Sequence, residues 1–564
     1  MFFYRSQSGK NGLSAASVFL LSLVWVFPVQ AGNRSPAAIA TAHPLATDAG
    51  HLILDQGGNA FDAAVAVSAV LAVVEPYSSG IGGGGFWLLH RAGDGHEVMI
   101  DGREKAPMAA HRDLYLDDKG KVVPGLSING PLSAGIPGEP AALAHIAETY
   151  GELPLSKSLA PAIRIAREGF FVDEHYRRLA GWRKDILLKS PGASEQFLVE
   201  GEIPPPAHLI RQPDLAATLS LLAEQGREGF YAGALAEKLV NGIKAAGGIW
   251  SLDDLKRYRI VERRPVKGSY HGMQITSAAP PSSGGIALIT MLNILEGYDL
   301  QALDPVEQKH LIVEAMRLAY RDRAAFLGDS DFVDVPVDRL TSKDYAAGLG
   351  RSINNELATP SRVEPGPEIP EGTDTTHFSI IDAEGNRVSA TLSINYPFGS
   401  CFVVPGTGVL LNDEMDDFSA SPGVPNAYGL VGGEANAIAP EKRMLSSMTP
   451  TFVESDAGVA VLGSPGGSRI ITMVLHGILE LAAGKGPQYW VAKRRFHHQY
   501  LPDHIQFEPG ALSEKEQKVL EGMGHQLKAL EREYGNMQAV YLNKSNGRLN
   551  AASDPRGVGK ASSR

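Results

Sequence analysis

From Thr375 to Asn395 the chain alternates in polarity on both sides of one tight turn, a pattern that specifies an antiparallel hairpin. Thr376, Phe378 and Ile380 alternate with His377, Ser379 and Ile381. Val388, Ala390, Leu392 and Ile394 alternate with Ser389, Thr391, Ser393 and Asn395. Between them, Asp382-Ala383-Glu384-Gly385-Asn386 reads as the turn, with Gly385 in the left-handed position of a three-residue loop. That closure pairs Asp382 with Asn386 and sets Ser393 opposite Thr375. One face then carries Thr375, His377, Ser379, Ser389, Thr391 and Ser393, and the other is apolar. A slip of one residue would separate these groups.

The hairpin begins at Asp374-Thr375, after a Pro-, Glu- and Gly-rich stretch, Ala358–Thr373, that reads as an exposed linker. An acid followed by a hydroxyl residue at a strand start is what a self-cleaving precursor requires. If the Asp374–Thr375 bond breaks, Thr375 holds a free α-amine beside its own hydroxyl, so one residue carries nucleophile and base. An α-amine titrates near pH ~8 and can take a proton at neutral pH, which a lysine near ~10.4 mostly cannot. Taken alone, Thr-Thr at a strand start also reads as plain β-propensity.

Upstream, Gly58–Val74 reads as a buried helix rich in Ala and Val, followed by the cluster Gly80–Gly85 and a strand at Phe86–Leu89. Gly80, Gly82 and Gly85 match the dinucleotide-binding spacing, but a helix precedes them and a strand follows, the reverse of that motif. The glycines are expected to allow close backbone packing. From Pro131 to about Leu340 the chain reads as mostly helical, and Pro280–Gly285 opens one of its helices. Downstream, Thr449–Val461 reads as strands, turning at Gly463-Ser464-Pro465-Gly466-Gly467-Ser468 into a helix over Arg469–Ala483. No HExxH pattern occurs, and His497-His498 is a bare dipeptide. Neither a metal nor another cofactor is expected.

The net charge of −11 argues against nucleic acid as a partner, and no dense basic patch accompanies it. Arg5 and Lys10, then the apolar run Ala15–Phe27, then Val29-Gln30-Ala31 form a signal-peptide pattern, with cleavage expected near Ala31. The run is shorter than the ~20 apolar residues that a spanning helix wants. Cys401 is the one cysteine, so no internal disulfide is expected. Bacterial periplasm or secretion fits these features.

Several motifs follow one another in order: Asp101-Gly102-Arg103-Glu104-Lys105-Ala106-Pro107, Asp374-Thr375-Thr376-His377-Phe378-Ser379, Asn412-Asp413-Glu414-Met415-Asp416-Asp417-Phe418, Arg443-Met444-Leu445-Ser446-Ser447-Met448-Thr449-Pro450 and Gly463–Arg469. Together they resemble the γ-glutamyltransferases, also called γ-glutamyl transpeptidases or glutathione hydrolases, over nearly the whole chain after the leader. The resemblance implies an α/β (α+β) fold of the N-terminal-nucleophile hydrolase type, a four-layer αββα sandwich. It implies a precursor that cleaves itself at Asp374–Thr375 into two intertwined subunits forming a heterodimer. The segments would be a leader, 1–31, a large subunit, 32–374, and a small catalytic subunit, 375–564. It further implies cleavage of the γ-glutamyl amide of glutathione and related compounds through a Thr375 acyl-enzyme, with transfer to amino acids, peptides or water.

The residue roles carried over on that resemblance are chemically coherent. Arg103 offers a planar fork of donors for a carboxylate, with the Ser446 and Ser447 hydroxyls beside it. Asp417 and Glu414 take an ammonium, with Asn395 as a neutral acceptor. The amides of Gly466 and Gly467 form an oxyanion hole, and Ser393 steers the Thr375 proton. Tyr428, in the stretch Pro422–Gly429 that resembles a lid loop, shields the substrate. Many family members carry threonine at the position of Ser393, and some bacterial members carry glutamine at that of Glu414. Bland readings exist too, since Arg103-Glu104 also fits a surface ion pair and Asp416-Asp417 a helix cap. Two other functions stay open: a related cephalosporin (glutaryl) acylase, and an inactive homologue that only captures glutathione.

Overall fold

The computed structural model describes Met1, residues 36–361 and residues 375–564. The leader and Asp374 lie outside the described residues. In chain order the strands of two sheets are β1 (Ala38–Thr41), β2 (Gly84–Arg91), β3 (His96–Gly102), β4 (Val261–Arg263), β5 (Val266–Tyr270), β6 (Met273–Ser277), β7 (Thr376–Ile381), β8 (Arg387–Ser393), β9 (Thr451–Glu454), β10 (Gly458–Gly463), β11 (Gln538–Asn543), β12 (Arg548–Ser553) and β13 (Lys560–Ser563). The first sheet runs β13-β1-β7-β8-β2-β3-β4 and the second β12-β11-β10-β9-β6-β5.

The two sheets stack face to face, with β7 and β8 against β10 and β11. Helix Ala60–Val74 covers the outer face of the first sheet, and helices Gly284–Leu295 and Ile470–Ala482 cover the second. This is a four-layer αββα sandwich, as expected. One apolar core lies between the first helix layer and Phe378, Ile380, Val388, Ala390 and Leu392 of the hairpin. Another lies around the second sheet and its helices.

The hairpin has the expected register. Leu392 pairs with Thr376, so the next pair outward is Ser393 and Thr375. Asp382 N–H donates to the Asn386 carbonyl at 3.1 Å, and Gly385 takes φ +89°. The Asp382 carboxylate also accepts the Ala60 N–H at 2.8 Å, tying the turn to the start of helix Ala60–Val74. The polar face of the hairpin lies between the sheets. His377 bonds Thr391 at 2.9 Å, Ser379 donates to the Gln538 carbonyl and Ser389 to the Leu462 carbonyl. The alternation therefore separates a helix-facing from a sheet-facing side, both buried.

The glycine cluster brings backbone against backbone. A Cβ on Gly83 would lie 2.2 Å from the Ser393 carbonyl oxygen, and one on Gly85 2.4 Å from that of Thr391. The stretch from Pro131 to Leu340 is mostly helical, as expected. Strands β4, β5 and β6 also lie inside it and complete edges of both sheets. No helix among the described residues is long and apolar enough to cross a membrane.

Candidate active site

Thr375 stands at the head of β7, buried at 6 % exposure. It borders a small cavity of about 20 Å³, also lined by Arg103, Ser393, Asn395, Glu414, Asp417, Tyr428, Ser446, Ser447 and Gly467. Residues far apart in sequence thus converge on the nucleophile candidate. That volume holds about one water. Gly466 sits one residue behind Gly467 in the turn and does not line the cavity.

Arg103 follows β3 and is anchored by its backbone, its N–H to Asp101 at 2.9 Å and its carbonyl to the Tyr258 hydroxyl at 2.7 Å. Its guanidinium is forked between two carboxylates, Glu414 and Asp417, each at 2.5 Å. A third, Glu104, lies 3.6 Å away. Both oxygens of Glu104 are buried without a hydrogen-bond partner. Arg103-Glu104 is therefore no surface pair. Burial raises the Glu104 carboxyl well above its usual range, and the nearby Glu414 adds to it. Burial likewise raises Glu414, to about 7, against the pull of Arg103. Burial also raises Asp417, again opposed by Arg103. Burial thus pushes these acids toward their neutral forms, and a cation bound beside them would favour the ionised forms again.

Glu414 and Asp417 bound a single 3₁₀ turn, Glu414–Asp417. Asp416 caps no helix; it accepts the Ser127 hydroxyl at 2.6 Å and the Ala427 N–H at 2.8 Å. Asn426 donates to Asp417 at 3.1 Å, so the Pro422–Gly429 loop is bonded directly to the acidic turn. Its Tyr428 hydroxyl donates to the Asn395 carbonyl at 2.8 Å, and its ring lies over Gly467, where a Cβ would come within 2.4 Å. Asn395 takes φ +74°, a conformation asparagine tolerates, and its amide donates to the Asp413 carbonyl at 3.1 Å. Gly466 (φ +133°) and Gly467 (φ +55°) turn the chain after β10. The Ser393 hydroxyl accepts the Asn395 N–H at 2.7 Å.

Sequence reasoning missed four supports. Ser282 and Ser283, read only as a helix opening, bind the backbone of the Ser446–Met448 strip: Ser283 donates to the Ser446 carbonyl at 2.7 Å and Ser282 to that of Met448 at 2.6 Å. Buried Arg323 reaches Ser283 at 3.0 Å and Ser447 at 3.3 Å. The doublet Ser282-Ser283 before two glycines was the available signal. Glu75, at the end of helix Ala60–Val74, accepts the Thr376 hydroxyl at 2.7 Å, and burial raises its carboxyl to about 7. It lines a second cavity of about 80 Å³ that Thr375 also borders, with Arg178, Arg532 and Arg556 in its wall. Cys401 is buried and unpaired, its thiol pushed by burial to about 11.

Comparison with known proteins gives a consistent result. A family model described as Gamma-glutamyltranspeptidase matches residues 46–563. The chain is 44% identical over 510 residues to the glutathione hydrolase proenzyme of Pseudomonas sp. (strain A14), covering 88% of each chain. It is 42% identical over 527 residues to that of Escherichia coli (strain K12), covering 92% of this chain and 90% of the relative. Among solved structures, a cephalosporin acylase from Bacillus halodurans superposes with a TM-score of 0.82 at 29% identity, covering 94% of this chain and 96% of that one.

Proposed function

Because this chain belongs to the gamma-glutamyltranspeptidase family, we propose that it cleaves the γ-glutamyl amide of glutathione and related compounds through an acyl-enzyme on Thr375. It is an enzyme of the glutathione hydrolase type, and the reading rests above all on Arg103 forked between Glu414 and Asp417 beside Thr375. A glutamyl end is a zwitterion. Its carboxylate takes the Arg103 fork, and its ammonium takes the carboxylates so released. The two internal contacts of Arg103 are exchanged for contacts with the two charges of the substrate, and the buried charge balance is unchanged. A glutaryl group brings only the carboxylate and would strand Glu414 and Asp417 next to Glu104. The acylase alternative is disfavoured on that ground.

The reaction steps follow from placement. After cleavage at Asp374–Thr375, the Thr375 α-amine takes the hydroxyl proton as Oγ attacks the γ-carbonyl. The amides of Gly466 and Gly467 receive the oxyanion, each such donor typically lowering the barrier by about 2.7–4 kcal/mol. Ser393, next to Thr375 in register, orients the hydroxyl. The amine of the leaving peptide departs protonated, and water or the amine of an amino acid or peptide takes the acyl group. The second cavity, with its arginines, is suited to the carboxylate of that departing or accepting chain. Tyr428 closes over the first. The mature enzyme would pair a large subunit, 32–374, with a small one, 375–564, and work in the periplasm or outside the cell.

Two measurements test the proposal. A denaturing gel of the purified protein should show two fragments, the smaller beginning Thr-Thr-His-Phe-Ser, while Thr375→Ala stays whole and inactive. A processed, active Thr375→Ala protein would remove Thr375 from both roles. A γ-glutamyl anilide should turn over faster than a glutaryl anilide by on the order of 10²-fold; equal or faster glutaryl turnover would reinstate the acylase. A whole, inactive wild type would leave only the glutathione-binding homologue.

A further inference from the structure

Away from the Thr375 cavity, His310, Glu314 and His525 meet in the interior. They are 1%, 0% and 4% exposed. His310 and Glu314 stand one turn apart on helix Pro305–Phe326 and face the same way. His525 follows helix Glu514–Gly522. His310 Nδ1 and His525 Nε2 are 2.8 Å apart, and one ligand atom from each of the three residues lies within 4.8 Å of the others.

The hydrogen bonds around the group favour a cation. His310 Nε2 lies 2.7 Å from the Asn354 carbonyl, which can only accept, so Nε2 carries the proton and Nδ1 turns its lone pair inward. Metal-bound imidazoles are held in this way, by their second ring nitrogen. Glu314 Oε1 accepts from Arg317 Nε and from the Thr359 N–H, both at 3.2 Å. Arg317 is also committed to Asp503 and Ser361. Glu314 Oε2 and His525 Nδ1 are buried with no hydrogen-bond partner. With His310 Nδ1 as acceptor, His525 Nε2–H donates across the 2.8 Å contact, and this is the proton that a cation would replace.

We propose that His310, Glu314 and His525 form a binding site for one divalent cation of the zinc class. Two imidazole nitrogens and one carboxylate oxygen suit Zn²⁺, whereas Ca²⁺ and Mg²⁺ require shells of oxygen. With Zn–N distances of about 2.0–2.1 Å in a tetrahedral site, the two ring nitrogens move roughly 0.5 Å apart. The exposed segment Asn354–Leu357 and Thr359 beyond it are held to the group through the Asn354 carbonyl and the Thr359 N–H. The cation would fasten this strap to helix Pro305–Phe326 and to the chain after helix Glu514–Gly522.

Equilibrium dialysis of the EDTA-treated full-length protein should find one tight Zn²⁺ per chain and none of comparable affinity for Mg²⁺ or Ca²⁺. Zn²⁺ should raise the melting temperature by several degrees, as ligand linkage requires. Co²⁺ in its place should give visible ligand-field absorbance. Glu314→Gln, which keeps the acceptor for Thr359, should weaken Zn²⁺ about 10–100-fold. His525→Gln should abolish the Co²⁺ spectrum, with the metal-free melting temperature reporting whether each variant folds. No Zn²⁺ site tighter than about 10 µM in the wild type, or equal Zn²⁺ retention by wild type and Glu314→Gln, would overturn the proposal.

Discussion

At Arg103 one guanidinium answers three carboxylates, and its own state follows from that. Burial opposes its charge, but Glu414, Asp417 and Glu104 outweigh burial and raise its pKa further. Arg103→Lys keeps the charge but loses the fork. We expect kcat/KM for a γ-glutamyl anilide to fall roughly 10–100-fold, about 1.4–2.8 kcal/mol, with processing intact. A change under twofold would mean that the fork does not hold the carboxylate. Glu414 is raised to about 7, so it becomes fully ionised only above that pH. Affinity for an ammonium-bearing substrate should therefore climb as pH rises through 7, and Glu414→Gln should flatten that limb of the KM profile. The chemistry of Arg103, Glu414 and Asp417 was legible in the sequence as residue types. Their mutual pairing was not, because it depends on β3 and a 3₁₀ turn meeting over a separation of more than 300 residues. The burial of Glu104 was equally hidden: side-chain type favours the surface, and only the fold denies it.

The hairpin and the glycine strand were readable as elements because short-range pattern decides them. Gly385 fixes the turn, period two fixes the faces, and the glycines of β2 mark close approach. Gly83→Ala should be intolerant: its Cβ would meet the Ser393 carbonyl at 2.2 Å, forcing apart the backbone beside Thr375. A loss of about 1–3 kcal/mol is expected in urea unfolding, while Gly93→Ala, in an exposed turn with open space around it and no left-handed backbone, should lose less. Equal losses would show that β2 and β8 have room. Strands β4 to β6 escaped the sequence reading because they are three to five residues long and sit between helices. β5 and β6 form a local hairpin, but their links to the sheets' other strands are remote: β4 pairs with β3, and β6 with β9, Ser277 with Thr451. The Ser282–Ser283 strip was missed for the same reason. Ser283→Ala removes a donor to the Ser446 carbonyl and an acceptor for Arg323. Its expected signature is a KM rise of several-fold with a stability loss of about 1–2 kcal/mol; an unchanged KM would separate the strip from substrate binding.

Over the whole molecule, buried acids set the response to pH. Glu139 is fully buried, neither oxygen has a partner, and burial raises its carboxyl to about 8; Glu75 is raised to about 7. Both pKa values exceed the unfolded value of about 4.5. Their contribution to stability is thus fully present below about pH 4.5 and is lost as pH rises through 7 and 8. The melting temperature should fall between about pH 4.5 and 8, and Glu139→Gln should flatten the fall; an unchanged slope would assign it to other groups. The four layers themselves were foreseen only through resemblance, since nothing local in a strand states which sheet it joins. Strand β1 makes the point most sharply. Ala38 pairs with Ile381 on one side and with Ser563 on the other. β13 follows β1 in the chain by on the order of 500 residues, so one edge of β1 stays open until that distant strand has been made. Contacts so distant form slowly. The sheet that holds Thr375 in place therefore gains its outermost strand only after its other strands have been made, and a polypeptide stopped before Lys560 lacks it.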